Sequence, residues 1–228
     1  MAPASQSPND WLKWLIFEVG AGYYARKLAT GPEAELRREF ADFLQPEPGA
    51  RVLDVGCGPG HLARLLALRG CRVTGVDRGW RLLRIARRWA AREGAAVEFR
   101  QAPADQLPFP DSAFDCTLAT TVLYFVADAR AVLREMVRVT RPAGVVATLD
   151  PHASMSVPAA HEYCRKQNLN SKDTRKLVAW AAAAELNRRF EESELRGLLE
   201  SAGLTGVQME RRLGNLVWFA RGVAAGKG

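Results

Sequence analysis

The chain has 228 residues, 48% of them hydrophobic and 25% charged, with a net charge of +7. That balance fits one domain with a substantial core, or one domain plus a small cap, and excludes a disordered chain. No apolar run is long enough to cross a bilayer, and the first residues lack a signal-peptide pattern. Cys57, Cys71, Cys116 and Cys164 form no C-x-x-C pair, so they read as reduced thiols in a cytoplasmic protein, with no metal site.

Residues 1–9 are rich in Pro, Ser, Ala and Asn and are expected to fray. Trp11, Leu12, Trp14, Leu15, Ile16 and Val19 then mark a strongly apolar helix, with Asn9 or Asp10 as its cap. It reads as a cover over a ligand cleft. Residues 20–24 hold two glycines and are expected to loosen the chain. Residues 33–44 predict a second helix with Leu36, Phe40, Phe43 and Leu44 inward. Residues 1–45 therefore read as an N-terminal helical cap, and residues 46–49 as a Pro/Gly linker.

The centre of the chain is the stretch from Arg51 to Leu62. Residues 51–55 are largely apolar and β-branched and predict a short buried strand. Gly56, Gly58 and Gly60 follow with one residue between each, and Leu62, Ala63, Leu65, Leu66 and Ala67 then take helical spacing. Strand, glycine turn and helix in that order make a ligand-binding corner. Glycines let the backbone turn sharply and approach a ligand, and the helix N-terminus offers unpaired N–H groups.

Strand and helix then alternate through residues 71–76, 79–93, 96–100, 115–120, 128–139 and 144–149, the rhythm of a parallel sheet with crossovers. Turn-forming residues fill 102–115, and residues 141–144 form a turn. Residues 46–150 read as this α/β core. The rhythm breaks over 151–190, an insertion with a helix expected at 174–187, placed as a lid over the strand ends. Residues 191–228 complete the core with a helix at 193–202 and strands at 205–211 and 215–222.

A dinucleotide fingerprint requires G-x-G-x-x-G, but His61 stands where its last glycine belongs. Asp77 closes the second strand about twenty residues on, where an acidic residue suits a ribose diol in either kind of site. The D-x-G-x-G-x-G order beginning at Asp54 resembles the S-adenosylmethionine (SAM) loop of class I methyltransferases. Four motifs in order carry that resemblance from Pro48 to Leu149: VLDVGCGPG, VTGVD, LPFPDSAFD and LREMVRVTRPAG. The chain resembles the small-molecule group with the Methyltransf-11 signature. The fold this implies is a Rossmann-like seven-stranded mixed sheet, last strand antiparallel, with helices on both faces.

The resemblance also implies roles. Asp54 and the Gly56, Cys57, Gly58 and Gly60 backbone would face the methionine part of SAM. Asp77 would hold the ribose hydroxyls. Arg78 would lie by the adenine, Ala104 and Asp105 at its edge, and Thr120 near the sulfonium. Many relatives have an acidic residue for the adenine where this chain has Pro103, and Ala143 stands where a glycine is common. No Asn/Asp-Pro-Pro-Tyr/Phe motif follows the fourth strand.

SAM carries an activated methyl group, so the protein mainly supplies alignment and exclusion of water. A base is needed only where the acceptor must lose a proton early. Tyr124, Asp150, His152, His161 and Tyr163 are the candidates, with His152 first, Tyr124 beside it, and Asp150 able to orient an imidazole. Trp14, Tyr23, Tyr24 and Tyr163 are candidates for an aromatic acceptor pocket. The expected function is methyl transfer to a small-molecule acceptor by a monomer or homodimer. RNA or protein methylation is the alternative, since Arg81, Arg84, Arg88 and Arg92 form one basic helical stripe. A non-catalytic SAM- or NAD-binding protein is the other.

Overall fold

The structure, a computed structural model, describes residues 20–226 except 24 and 27. Its centre is one seven-stranded sheet of β1 (Arg51–Val55), β2 (Arg72–Asp77), β3 (Val97–Gln101), β4 (Phe114–Thr120), β5 (Thr140–Pro151), β6 (Leu204–Arg212) and β7 (Val217–Ala224). The order is β3-β2-β1-β4-β5-β7-β6. The first five strands pair in parallel, and β7 runs antiparallel to both of its neighbours. This is the expected mixed sheet. Its central strand β1 is buried from Val52 to Val55, because helices cover both faces.

The helices are α1 (Pro32–Leu44), α2 (His61–Leu68), α3 (Trp80–Glu93), α4 (Ala129–Val139), α5 (Val157–Lys166), α6 (Ser171–Glu185) and α7 (Glu192–Ser201). Helix α1 packs Phe40 and Phe43 onto Phe219 of β7, with ring centroids 5.0 and 5.6 Å apart. Such aromatic pairs add about 0.5–1.5 kcal/mol each to the area they bury. Helix α3 buries Leu82, Leu83, Ala86 and Ala90 and leaves Arg81, Arg84, Arg88 and Arg92 exposed, as the stripe predicts.

Three local expectations change. Residues 20–23, 25, 26 and 28 are helical, so the glycines at 20 and 22 do not loosen the chain there. Both have negative φ, and Ala21 and Ala25 bury fully enough to hold the helix against the core. Trp14 and the apolar helix expected from Trp11 lie outside the described residues, as does Tyr24. Helix α5 was not expected. Ser156 caps it by accepting from Ala159 N, and Pro158 stands in its first turn, a start signal hidden among polar residues. Finally, β5 begins at Thr140. Thr140 pairs with Phe114, the ladder resumes at Cys116 and Val145, and the intervening residues loop out, with Ala143 at φ +58°.

Candidate functional site

The site grows from the carboxyl ends of β1, β2 and β4, where an open parallel sheet leaves a crevice. After Val55 the backbone turns through Gly56, Gly58 and Gly60, at φ +69°, +53° and +73°. The three glycines share one role on sequence alone, and the structure separates them. A Cβ on Gly56 would collide with Val122, and one on Gly60 would lie 2.9 Å from Phe99 and 3.1 Å from Ala86. Both positions are used up by the protein's own packing. Gly58 is buried, yet a Cβ there would meet no atom within 4 Å. It alone leaves space for a ligand.

Asp54 lies beneath this turn, 1% exposed. It accepts from the Ala63 backbone at the start of α2, while Oδ1 has no hydrogen-bond partner among the described residues. Burial first, and the neighbouring Asp77 charge second, push its carboxyl from 3.8 up to about 7. An orphaned carboxylate oxygen in so dry a place is costly unless a cation joins it. Asp77 Oδ2 accepts from Gly58 N at 2.8 Å and Oδ1 from Gly79 N at 2.7 Å. The loop after β3 is tied to the same residue, since Ala102 N donates to Asp77 O.

His61 takes the place of the absent glycine as a structural tie. Its Nε2 lies 3.0 Å from Ala25 O and its Nδ1 3.3 Å from Arg64 Nη2, so the Nε2 proton serves Ala25. Burial, and then the Arg37 charge, lower its pKa to about 3, which keeps the ring neutral. The helical residues around Ala25 are thereby fastened to the glycine corner.

Two adjoining cavities meet at this corner. The smaller, of about 30 Å³, is lined by Asp54, Gly56, Cys57, Gly58 and Thr120 together with Leu28, Arg37, Pro59, His61, Leu62 and Thr121. Its volume is roughly one water's share of the liquid. The larger, of about 210 Å³, is lined by Leu28, Leu36, Tyr124, Phe125, Leu149, Ala179, Trp180 and Ala183, with Glu33, Arg37, Thr120 and Thr121. Leu28, Arg37, Thr120 and Thr121 belong to both walls.

The structure therefore brings Asp54, Gly56, Cys57, Gly58 and Thr120 to one cavity, with Asp77 joined to Gly58. Gly60 and the exposed Arg78 and Asp105 line neither cavity, nor does the half-buried Ala104. Tyr124 lines the larger cavity. His152 does not reach either one. Its Nδ1 is engaged by Ser154, its ring centroid lies 5.0 Å from that of Trp218, and burial lowers its pKa. Asp150 orients no imidazole. Its Oδ1 accepts from Tyr124 N at 3.1 Å and fixes the turn that carries Tyr124, while burial pushes its carboxyl far above the ordinary range. His161 and Tyr23 are exposed, and Tyr163 packs against Gly214.

Sequence reasoning missed Leu28, Arg37, Thr121 and Trp180. Thr121 carries a signal only in the backbone, φ +57°. Trp180 is more legible in hindsight, as the one large side chain amid the alanines of 179–184. It is 8% exposed, and its indole N–H has no hydrogen-bond partner among the described residues.

The cysteines are free and buried, and no cluster of three or more His, Cys, Asp or Glu among the described residues is arranged to hold a metal. No helix among them is long and apolar enough to cross a membrane.

Comparisons with known proteins agree with this geometry. A methyltransferase domain family matches residues 53–148. The malonyl-[acyl-carrier protein] O-methyltransferase of Serratia marcescens is 36% identical over 146 residues, 64% of this chain and 55% of that protein. The demethylmenaquinone methyltransferase of Thermus thermophilus is 37% identical over 127 residues, 55% of this chain and 58% of that protein. The chain thus spans little more than half the length of these relatives. Among solved structures, phosphoethanolamine N-methyltransferase 2 of Haemonchus contortus, in complex with SAM, aligns over 97% of this chain and 61% of its own, with a TM-score of 0.72 at 15% identity, a likeness of fold alone. The glycine corner thus lies within a stretch, residues 53–148, that matches a methyltransferase domain, and the chain is similar to these methyltransferases over that part.

Proposed function

We propose that the protein transfers a methyl group from SAM to a small-molecule acceptor. The observation that carries this reading is the shared wall: the polar cavity at Asp54 and the larger, mainly apolar cavity adjoin through Thr120 and Thr121. A donor end and an acceptor placed on either side of that wall lie within transfer reach. When bound, SAM supplies a methyl group already activated by its sulfonium and leaves as neutral S-adenosylhomocysteine (SAH).

The chain's own residues bind and align. The Asp54 carboxylate, in the wall of the smaller cavity, supplies the negative charge that a methionine ammonium requires. Asp77, held rigid by two backbone N–H groups, accepts from a ribose diol, and the void at Gly58 admits the ligand backbone-close. Arg78, Ala104 and Asp105 flank the adenine side. Helix α6, with Trp180 and Ala183, closes the acceptor side as a lid and excludes water. Tyr124 is the polar aromatic group nearest the transfer path, and it positions the acceptor. His152 is left without a catalytic role, because its ring is engaged away from both cavities.

Calorimetric titration with SAH, followed by transfer of tritiated methyl from SAM to a panel of small acceptors, tests the reading. Saturable SAH binding with label transfer supports it. SAH binding without transfer to any acceptor leaves a passive binder, and no SAH binding overturns it.

A further inference from the structure

The described residues between Ala25 and Gly31 form a short strap that belongs to both cavities, since Leu28 stands in both walls. Side chains of three helices hold its backbone carbonyls. His61 Nε2 of α2 lies 3.0 Å from Ala25 O, Arg37 Nη1 of α1 donates to Leu28 O at 3.0 Å, and Lys176 Nζ of α6 donates to Thr30 O at 2.8 Å. The Lys176 ammonium also donates to Thr30 Oγ1 at 2.7 Å and to Asp173 Oδ1 at 3.1 Å, so all three of its N–H groups are used. Lys176 is 6% exposed and lines neither cavity. Gly31, at φ +84°, lies so close to α6 that a Cβ there would collide with Asp173.

We propose that Lys176 is a positioning residue, which clasps the strap to the lid helix and so sets how fast the donor side opens. The inference rests on the methyltransferase reading and deepens it by assigning the closure of that site. Trp180 stands one turn along α6 from Lys176, on the same face, so the grip on Lys176 also fixes the cavity wall at Trp180 and Ala183. The strap carries that grip to Leu28, in the wall it shares with Asp54 and Gly58. The chemistry argues for position rather than bulk. Burying an ammonium carries a desolvation cost that an apolar side chain of similar length would not incur. The lysine instead holds one defined geometry through three directed bonds. Thr30 is exposed, so it can exchange that ammonium for water when the strap lifts.

The test is release of tritiated SAH, chased with excess unlabelled SAH, from the wild type and its variants. Lys176→Met keeps the stem and removes the ammonium. It strands no buried charge, since Asp173 still accepts from Asn170 Nδ2 at 2.8 Å and Thr30 turns to water. SAH should leave this variant about tenfold faster, the size of one charge-assisted hydrogen bond, although Lys176 lines neither cavity. Thr30→Val should speed release about threefold. The double variant should release SAH no faster than Lys176→Met alone, because both changes undo one clasp. Wild-type release in both single variants, with or without a lower urea midpoint, marks a merely structural contact and overturns the inference while the methyltransferase reading stands. A double variant whose effects multiply overturns it as well. If Lys176→Met fails to fold, Thr30→Val decides alone. Failure of the wild type to bind SAH overturns the methyltransferase reading, and this inference with it.

Discussion

The glycine corner and the acceptor cavity lie against each other but are made in different ways. The corner comes from residues 54–63 and 77–79, close in sequence, and its contacts are largely backbone: Gly58 N and Gly79 N to Asp77, Ala63 N to Asp54. The cavity draws Leu28 and Arg37, Thr121 and Tyr124, Leu149, and Trp180 from four separate regions of the chain. A binding function built on backbone geometry leaves a local trace in the sequence. One built on converging side chains leaves almost none, because each member is also a plausible core residue.

Substitutions break this comparison cleanly. Gly58→Val should have the largest effect. It fills the one open position of the turn and forces a β-branched residue to φ +53°, so SAH affinity should fall at least about 100-fold in calorimetry. A variant that still binds SAH as the wild type does would show that the ligand does not pass Gly58. Gly60→Ala probes packing, since its Cβ would press on Phe99 and Ala86. It should cost about 1–3 kcal/mol in urea unfolding, and unchanged stability would contradict the packing role.

Asp54→Asn separates binding from stability. Removing a carboxylate that folding would leave ionised in a dry site should stabilise the ligand-free protein by roughly 1–3 kcal/mol near pH 8, while weakening SAH binding about tenfold or more. The sign follows from the raised pKa of about 7. Asp54 contributes stability below its unfolded value near 3.8, and that contribution is lost as pH rises through 7. His61, lowered from 6.5 to about 3, acts oppositely, and its contribution is lost as pH falls through that window. The two offset each other between pH 4 and 6.5, so ligand binding is the clearer readout. A bound ammonium favours ionised Asp54. SAH affinity should therefore rise between pH 5.5 and 7.5, with protons released on binding, and both effects should vanish in Asp54→Asn.

Ala143→Gly is the smallest test. It relieves a left-handed alanine in the looped-out start of β5, offset in part by the greater freedom glycine gives the unfolded chain. A gain of about 0.5 kcal/mol is expected in thermal unfolding, and a loss would mean that the alanine methyl packs usefully.

What was legible follows the same division. The alternation of apolar strands with periodic helices fixed the parallel core, and Asp54, Gly58 and Asp77 stood out because a backbone motif demands those residue types. Helix α5 was hidden because its apolar face is thin, Ala160 and Cys164 being its only fully buried residues. The placing of His152 was not legible for a physical reason: a histidine just past a strand end looks available, but the register that pairs Asp150 with Trp218 of β7 brings that indole against the ring. Trp180 stands out locally as the one large side chain among alanines, but that signal does not tell a tryptophan that packs from one that encloses empty space.

The most direct measurement is a calorimetric titration of the wild-type protein with SAH and, separately, with NAD. Saturable binding of one SAH per chain, with no heat from NAD, is the expected result. NAD binding without SAH binding would contradict the account at its root.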